Sequence, residues 1–349
     1  MNWISKLKST SFFIRLLHWE YWPLPVLYTP VVLYYVFLSL KARSFFFFSA
    51  ANPAIEMGGL LGESKMGILN IIPQKYLPKT VFVTKHMDVP EMLRQMKTAN
   101  INFPVIAKPD VGERGFLVVL AKDEAELTAY KKSNIDFIIQ EYIDYPNEVG
   151  VMYYRLPNQQ KGVVNSFTVK KYLSVTGDVN STLLQLIEQY DRAKLQMEQL
   201  TELLAHRLDE IPAEGAVVEL LPFGTHSRGA KFLNGNHIID QALTDTFDKI
   251  SHELTGVYFG RYDIKCKSIE DLKQGKHFSI LEINGVKAEP THIYDPGFSF
   301  FTALNTLFKQ WNTIYQISKI NHQNGVTYPS FSEGIQATRD YFRYKKENG

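Results

Sequence analysis

The chain has 349 residues, 45% of them hydrophobic and 21% charged, with a formal net charge of +2. That composition excludes a disordered, collagen-like or disulfide-stapled chain, and the near-neutral balance leaves no electrostatic footprint for nucleic acid. The one cysteine, Cys266, has no partner for an internal disulfide, which fits a reducing compartment.

Residues 1–43 differ from the rest. They carry Lys6, Lys8, Arg15, Lys41 and Arg43 against Glu20 alone, hold Trp3, Trp19 and Trp22, and have no charge from Tyr21 to Leu40. Residues 3–19 place apolar side chains near helical spacing. Pro23, Pro25 and Pro30 interrupt the next stretch, so a helix is expected only from Pro30 to about Ala42. That helix would be roughly 18 Å long, too short to span a bilayer. Two readings stay open for this segment. It is a monotopic anchor with interfacial tryptophans and basic partners for anionic lipid, or a hydrophobic helix packed on the catalytic body.

Residues 44–49 read as a buried strand entering the glycine-bearing stretch Gly58–Gly62. A helix is expected at 65–72, a strand at 80–84, a helix at 89–99 and a strand at 104–108. Strands at 116–121 and 137–140 flank a helix at 123–132. Beyond Glu148, strands are expected at 149–155 and 162–170, one long amphipathic helix at 183–208, and a strand at 216–220. A helix follows at 242–254. Strands at 258–266 and 278–283 should pair, and the polar tail from 341 should fray. The interleaving predicts an α+β protein. The expected units are 1–43, a short lobe at 44–78, a small lobe at 79–147, a large lobe at 148–320 and a tail with a helix at 321–349.

Four stretches carry the chemistry. Residues 103–115 read FPVIAKPDVGERG, a buried strand that delivers Lys108 to a polar loop, Gly112-Glu113-Arg114-Gly115. Backbone N–H groups of such a loop can point at an anion, with the lysine as a fixed positive charge. A lysine snorkelling from a strand end reads equally well. Residues 138–143 run from an apolar strand into an irregular linker, with Gln140, Glu141, Ile143 and then Glu148. Such a linker has backbone groups available to a flat ligand, though it also reads as an ordinary strand end. Alternation puts Arg261 and Asp263 on one strand face, and Glu282 and Asn284 on another. If the strands are neighbours, the oxygen donors Asp263, Glu282 and Asn284 converge, a set suited to Mg²⁺ held together with phosphates. A polar outer face with one Arg–Asp pair is the plain alternative.

Taken in order, these stretches resemble the ATP-grasp superfamily, and within it the D-alanine–D-alanine ligase-like carboxylate–amine ligases. The resemblance covers roughly residues 44–310. It implies an ATP-grasp fold, two α+β lobes sandwiching ATP, here with a short N-terminal α/β lobe and a hydrophobic N-terminal segment. It implies Lys65 and Lys108 as nucleotide lysines and Gly112, Glu113, Arg114 and Gly115 as a loop closing over the phosphates. It implies Gln140, Glu141 and Ile143 as the adenine hinge and Glu148 as the ribose carboxylate. It further implies Asp263, Glu282 and Asn284 as ligands of Mg²⁺, and Arg261 as the cation facing the acyl phosphate. A further phosphate lysine should lie between hinge and metal set. The stretch 226–231 offers Arg228 or Lys231, with no choice between them.

The implied activity is an ATP- and Mg²⁺-dependent ligation of a small-molecule carboxylate to an amine through an acyl phosphate. Alternatives are an ATP-grasp phosphotransferase or a membrane-tethered nucleotide-binding protein with little turnover. The expected location is cytoplasmic, peripheral on the inner face of the membrane if the anchor reading holds. Asn52 and Glu56 fall where a first-lobe loop would face the acceptor cleft, or are simply a turn and a solvated carboxylate. The order Gly62-Glu63-Ser64-Lys65 is wrong for a P-loop. No HExxH and no zinc spacing occurs, and His226 and His292 read as loop residues.

Overall fold

The computed structural model describes residues 11–112, 115–221, 224 and 226–348. Two antiparallel sheets face each other across a cleft, and alternation along their strands decides which side chains enter it.

The smaller sheet contains β1 (Thr80–Val83), β2 (Val105–Pro109), β3 (Val119–Ala121) and β4 (Phe137–Glu141), in the order β1-β4-β2-β3. Two helices, Val89–Thr98 and Glu124–Lys131, cover one face. Each starts at an aspartate, Asp88 or Asp123, whose carboxylate accepts the N–H of the third helical residue. Their Met92, Met96, Leu127 and Tyr130 pack on Val83, Val105, Phe137 and Ile139.

The larger sheet contains β5 (Asn147–Tyr154), β6 (Val163–Lys171), β9 (Lys231–Asn234), β10 (Phe259–Cys266) and β11 (Phe278–Asn284), in the order β11-β10-β5-β6-β9. Strands β7 (Ser174–Thr176) and β8 (Val217–Glu219) form a separate two-stranded sheet. On the larger sheet, Val149, Val151, Phe167, Tyr262, Ile264 and Ile280 point to one side, where Leu243, Phe247 and Ile250 of the helix Gln241–His252 seal the core. Period 2 then sends Glu148, Lys170, Arg261 and Asp263 to the other side, and a register shift in β11 between Ile280 and Glu282 brings Glu282 and Asn284 there too.

The loop before the small lobe is pinned to the end of β11. Val286 N–H and Lys287 N–H donate to the carbonyls of Gly58 and Gly59. A Cβ at Gly285 would lie 2.4 Å from the Gly58 oxygen, so this approach requires glycine. Asn52 is fully buried. Its amide donates to the carbonyls of Gly58 and Phe259 and its oxygen accepts from the N–H groups of Tyr258 and Phe259. It is a structural pin, while Glu56 is exposed and stands outside the cleft lining.

Four local expectations are corrected. The strand at 44–49 is instead a 3₁₀ turn, Phe47–Ala51, because its aromatic rings bury in all directions under the helix Phe300–Gln323. The N-terminal helix runs Leu24–Ala42, 19 residues or roughly 28 Å, straight through Pro30. Pro25 sits in its first turn, and burial of Leu27, Val31 and Leu38 against the body offsets the bond lost at Pro30. The long helix at 183–208 is three pieces, Leu183–Gln189, Asp191–Lys194 and Met197–Leu203, broken where Tyr190 turns extended. The tail does not fray at 341: the helix Phe331–Asn348 lays Tyr341 against Gly62.

Candidate active site

The cleft between the two sheets holds about 990 Å³. From the smaller sheet it is lined by Lys108, Gly112, Gly115, Gln140, Glu141 and Ile143, and Lys65 reaches it from the helix Lys65–Leu69. From the larger it is lined by Glu148, Lys170, Arg261, Asp263, Glu282 and Asn284. Glu113 and Arg114 lie outside the described residues.

Lys65 Nζ donates to the carbonyls of Gly112 (2.7 Å) and Asp110 (3.3 Å), tying its helix to the glycine loop. Lys108 crosses to the larger sheet and donates to the Leu281 carbonyl at 3.2 Å. Burial lowers both lysines, Lys108 to about 8, and Glu282 opposes the fall in each. Gln140 is buried and donates to Thr80 Oγ1, and Glu141 accepts the Lys79 N–H.

In the register of β10 with β11, Asp263 stands opposite Glu282 and Arg261 opposite Asn284. Arg261 grips Asp263 with two hydrogen bonds of 2.9 and 3.0 Å, and Asn284 Nδ2 donates to Asp263 at 3.2 Å. Burial would raise the Asp263 carboxyl, but Arg261 and Lys170 outweigh it and hold it down at about 2. Two carboxylates and an amide oxygen on one face of two paired strands are a hard, all-oxygen donor set of the kind Mg²⁺ prefers. Asn284 fits this, because its N–H is spent on Asp263 and its oxygen remains for a cation. Among the described residues no group of three or more His, Cys, Asp or Glu gathers as a metal site.

Lys231 and Arg228 are absent from the cleft lining; Lys231 Nζ stands 5.1 Å over the Tyr190 ring. The buried cation between hinge and metal set is Lys170. Its Nζ lies 3.0 Å from Glu148 and 3.4 Å from Asp263, and these two anions raise it despite burial. Glu148 also accepts the Tyr172 hydroxyl at 2.6 Å. Sequence reasoning missed Lys170. The signal was the same alternation that paired Arg261 with Asp263, applied to the strand ending at this residue.

The far end of the cleft is built by groups with no sequence signature. Glu289 accepts the Tyr294 hydroxyl at 2.7 Å, its backbone carbonyl accepts from Arg261, and burial pushes its carboxyl up to about 7. Glu20, only 5% exposed, accepts from Arg192 at 2.8 and 2.9 Å and shares a 2.8 Å hydrogen bond with His226. Trp19 stacks on Tyr294 and donates to the Phe298 carbonyl, and Trp22 packs on Phe300. Both tryptophans are therefore packing residues. Trp3, Lys6 and Lys8 lie outside the described residues. His292 is buried on Ser166, and burial pushes it down to about 4.

Residues 65–170, which include Lys65, Lys108 and Lys170, match the family described as the RimK-like ATP-grasp domain. That match takes in 106 of the 349 residues, and the α+β architecture, two sheets facing across a cationic cleft, is the one expected. Among solved structures it is similar to a bifunctional glutathione synthetase from Pasteurella multocida, at 14% identity and TM-score 0.38 over 70% of this chain and 36% of that one. It is also similar to D-alanine–D-alanine ligase from Bacillus anthracis, at 14% and 0.38 over 75% and 69%. A third is the VanG D-Ala:D-Ser ligase from Enterococcus faecalis, at 15% and 0.37 over 67% and 57%. The chain thus spans about a third of the glutathione synthetase and little more than half of VanG. No curated protein sequence matches it.

Proposed function

We propose that the protein is an ATP-dependent ligase that joins a small-molecule carboxylate to an amine. One observation carries the reading: the cations Lys65, Lys108, Lys170 and Arg261 line a single cleft with Asp263, Glu282 and Asn284 on one sheet face. Lys65, Lys108 and Lys170 offset phosphate charge, and Gly112 and Gly115 face the phosphates. Gln140, Glu141 and Ile143 face the adenine. Glu148 holds Lys170 and Tyr172 and so sets the ribose end. Asp263, Glu282 and Asn284 would hold Mg²⁺, which when bound neutralises phosphate charge. The two lobes divide at the linker 142–146.

The substrate carboxylate attacks the γ-phosphorus, the bond to the bridging oxygen breaks, and ADP leaves. The amine nitrogen then attacks the acyl carbon. The C–N bond forms, the C–O bond breaks, phosphate leaves with the electron pair and the amine loses a proton. Arg261, gripped by Asp263 and the Glu289 carbonyl, is preorganised to meet the negative charge that develops on the acyl oxygen. Positioning and charge neutralisation are most of what such phosphoryl transfer requires.

The test is a panel of carboxylates and amines assayed for ADP release and product mass. An amide of the paired substrates supports ligation; a phosphorylated product alone supports phosphotransfer; no ADP from any pair supports a binding protein. Nucleotide binding is tested apart from turnover. Lys108→Met should weaken ATP affinity at least tenfold without unfolding the chain, since the apolar stem is kept. With its ammonium lowered to about 8, Lys108 is charged below that pH and neutral above it. Wild-type affinity should therefore fall between pH 7.5 and 9.5, and the variant should lose that slope. Equal affinity in both proteins would remove Lys108 from the phosphate site.

We also propose that the N-terminal helices rest on a lipid surface at the inner face of the cytoplasmic membrane. Val26, Leu33, Phe37 and Leu40 form one exposed stripe of the helix Leu24–Ala42, opposite its packed side, with Phe12, Leu16 and Phe301 exposed as well. Lys41 and Arg43 close the helix end. Apolar exposure on this scale marks an interaction surface. The full chain should float with anionic liposomes, and Leu33→Glu with Leu40→Glu should abolish flotation at unchanged melting temperature. Flotation that survives both charges would assign this stripe elsewhere.

A further inference from the structure

A second cavity, about 250 Å³, lies beside the cleft between the helix Leu24–Ala42 and the loop that precedes the small lobe. Val31, Val32, Phe45, Phe48 and Leu61 line it. Two of its hydroxyls are spent on backbone: Tyr35 donates to the Phe45 carbonyl and Thr338 to the Gly334 carbonyl. It offers contact to hydrocarbon and little to a polar group. It adjoins the catalytic cleft, because Tyr28, Leu60 and Trp311 line both. It also opens on the exposed side of the helix, where Val32 is 52% exposed.

Near the shared wall, Gln310 and Glu289 offer acceptors to the cleft. Gln310, 5% exposed, is the neighbour of Trp311 on the helix Phe300–Gln323. Its Nε2 is committed to the Ala288 carbonyl, which fixes the amide orientation. Its Oε1 is buried in the cleft wall with no hydrogen-bond partner among the described residues. The next residue after Ala288 is Glu289, whose carboxylate lines the same cleft with Tyr294 on one oxygen. A buried acceptor without a donor is costly, and an ammonium group brings three N–H donors. Arg261 is already gripped by Asp263, so the position left for a positive head is at Gln310 and Glu289.

From this juxtaposition we infer that the amine substrate is an amphiphile, with its amino head at Glu289 and Gln310 and its hydrocarbon chain in the groove lined by Val31, Val32 and Leu61. The inference rests on the ligase reading and names the class of its acceptor. It also gives the exposed helix a purpose in the reaction, since a lipid-tailed amine would reach the groove from the surface on which that helix rests.

The test is calorimetric titration of the full chain with n-alkylamines from butylamine to dodecylamine, with and without the ATP analogue AMP-PNP. Affinity should rise about fourfold for each methylene added until the groove is filled, the increment for burying one methylene group. Val32→Trp, which puts a ring into the groove from an exposed position, and Leu61→Gln should each flatten that series. Glu289→Gln should weaken every amine at least tenfold and leave the chain-length slope intact. An unchanged slope in both groove variants, or n-alkanoates that bind as tightly as the amines, would overturn the inference. AMP-PNP is titrated separately on the same samples. Its failure to bind counts against the nucleotide reading, whereas a flat amine series counts against this one.

Discussion

Replacing Glu282 by glutamine is expected to lower ADP release by about 10²–10³-fold, the scale on which single preorganised electrostatic groups act in polar active sites. Glu282 stands opposite Asp263 on the cleft face and is the anion that opposes the fall of both Lys65 and Lys108. It is only partly buried and holds no core contact. The fold should therefore persist, with a melting temperature within a few degrees of wild type. Asp263→Asn should abolish turnover to the same extent but for two reasons at once. Its carboxylate is the counter-ion of both Arg261 and Lys170, and removing it leaves Arg261 buried without its carboxylate and Lys170 with Glu148 alone. Breaking such a cluster costs about 3–5 kcal/mol. The pH dependence has a definite sign. Asp263 is held below its ordinary 3.8, so the cluster's stabilisation is complete above about pH 4 and is lost as pH falls towards 2. Glu282→Gln is thus the cleaner probe of chemistry. Near-normal ADP release in that variant would overturn the metal assignment.

The second large effect is on stability. Glu20→Ala should destabilise the protein by about 3–5 kcal/mol, because Arg192 is then buried without its anion. Both side chains are 5% exposed, and Arg192 still donates to the Ala230 carbonyl at 3.2 Å. His226 loses its partner at the same time. Burial opposes the ionised form of Glu20, but His226 and Arg192 together keep its carboxyl below the usual value. The contribution is therefore present above about pH 4.5 and is lost in acid. Denaturant unfolding reads the loss directly. In the double variant Glu20→Leu with Arg192→Met both charges are gone, and the cost should be smaller than for Glu20→Ala alone. A loss below about 1 kcal/mol in Glu20→Ala would mean that the first helices are not docked on the catalytic body. The same pair explains why point charges on the exposed stripe probe lipid binding better than truncation: a chain starting near Lys41 would lack Glu20.

The sequence alone determined what period and composition control. Alternation placed Arg261 with Asp263 and Glu282 with Asn284, and the paired strands have that register in the structure. Every strand of the two facing sheets except β9 was expected within a few residues, because a strand with one apolar face is written in its own pattern. The α+β class and the ATP-grasp resemblance followed from the order of those stretches. Tertiary structure decided the rest, through contacts between residues far apart in the chain. The helix through Pro30 persists because distant apolar groups, Ile293, Ala303 and Leu307 among them, share a core with Leu27 and Val31. The Phe45–Phe48 run is no strand, since three consecutive rings, Phe46, Phe47 and Phe48, are buried and so take more than one side. The break at Tyr190 sets off the short helix that carries Arg192, whose partner Glu20 lies 172 residues away. Lys170, Glu289 and Gln310 gain their places in the cleft from the sheet and helix packed around them. Local sequence specifies which face a side chain takes, but burial and pairing with remote groups determine whether that face becomes a site.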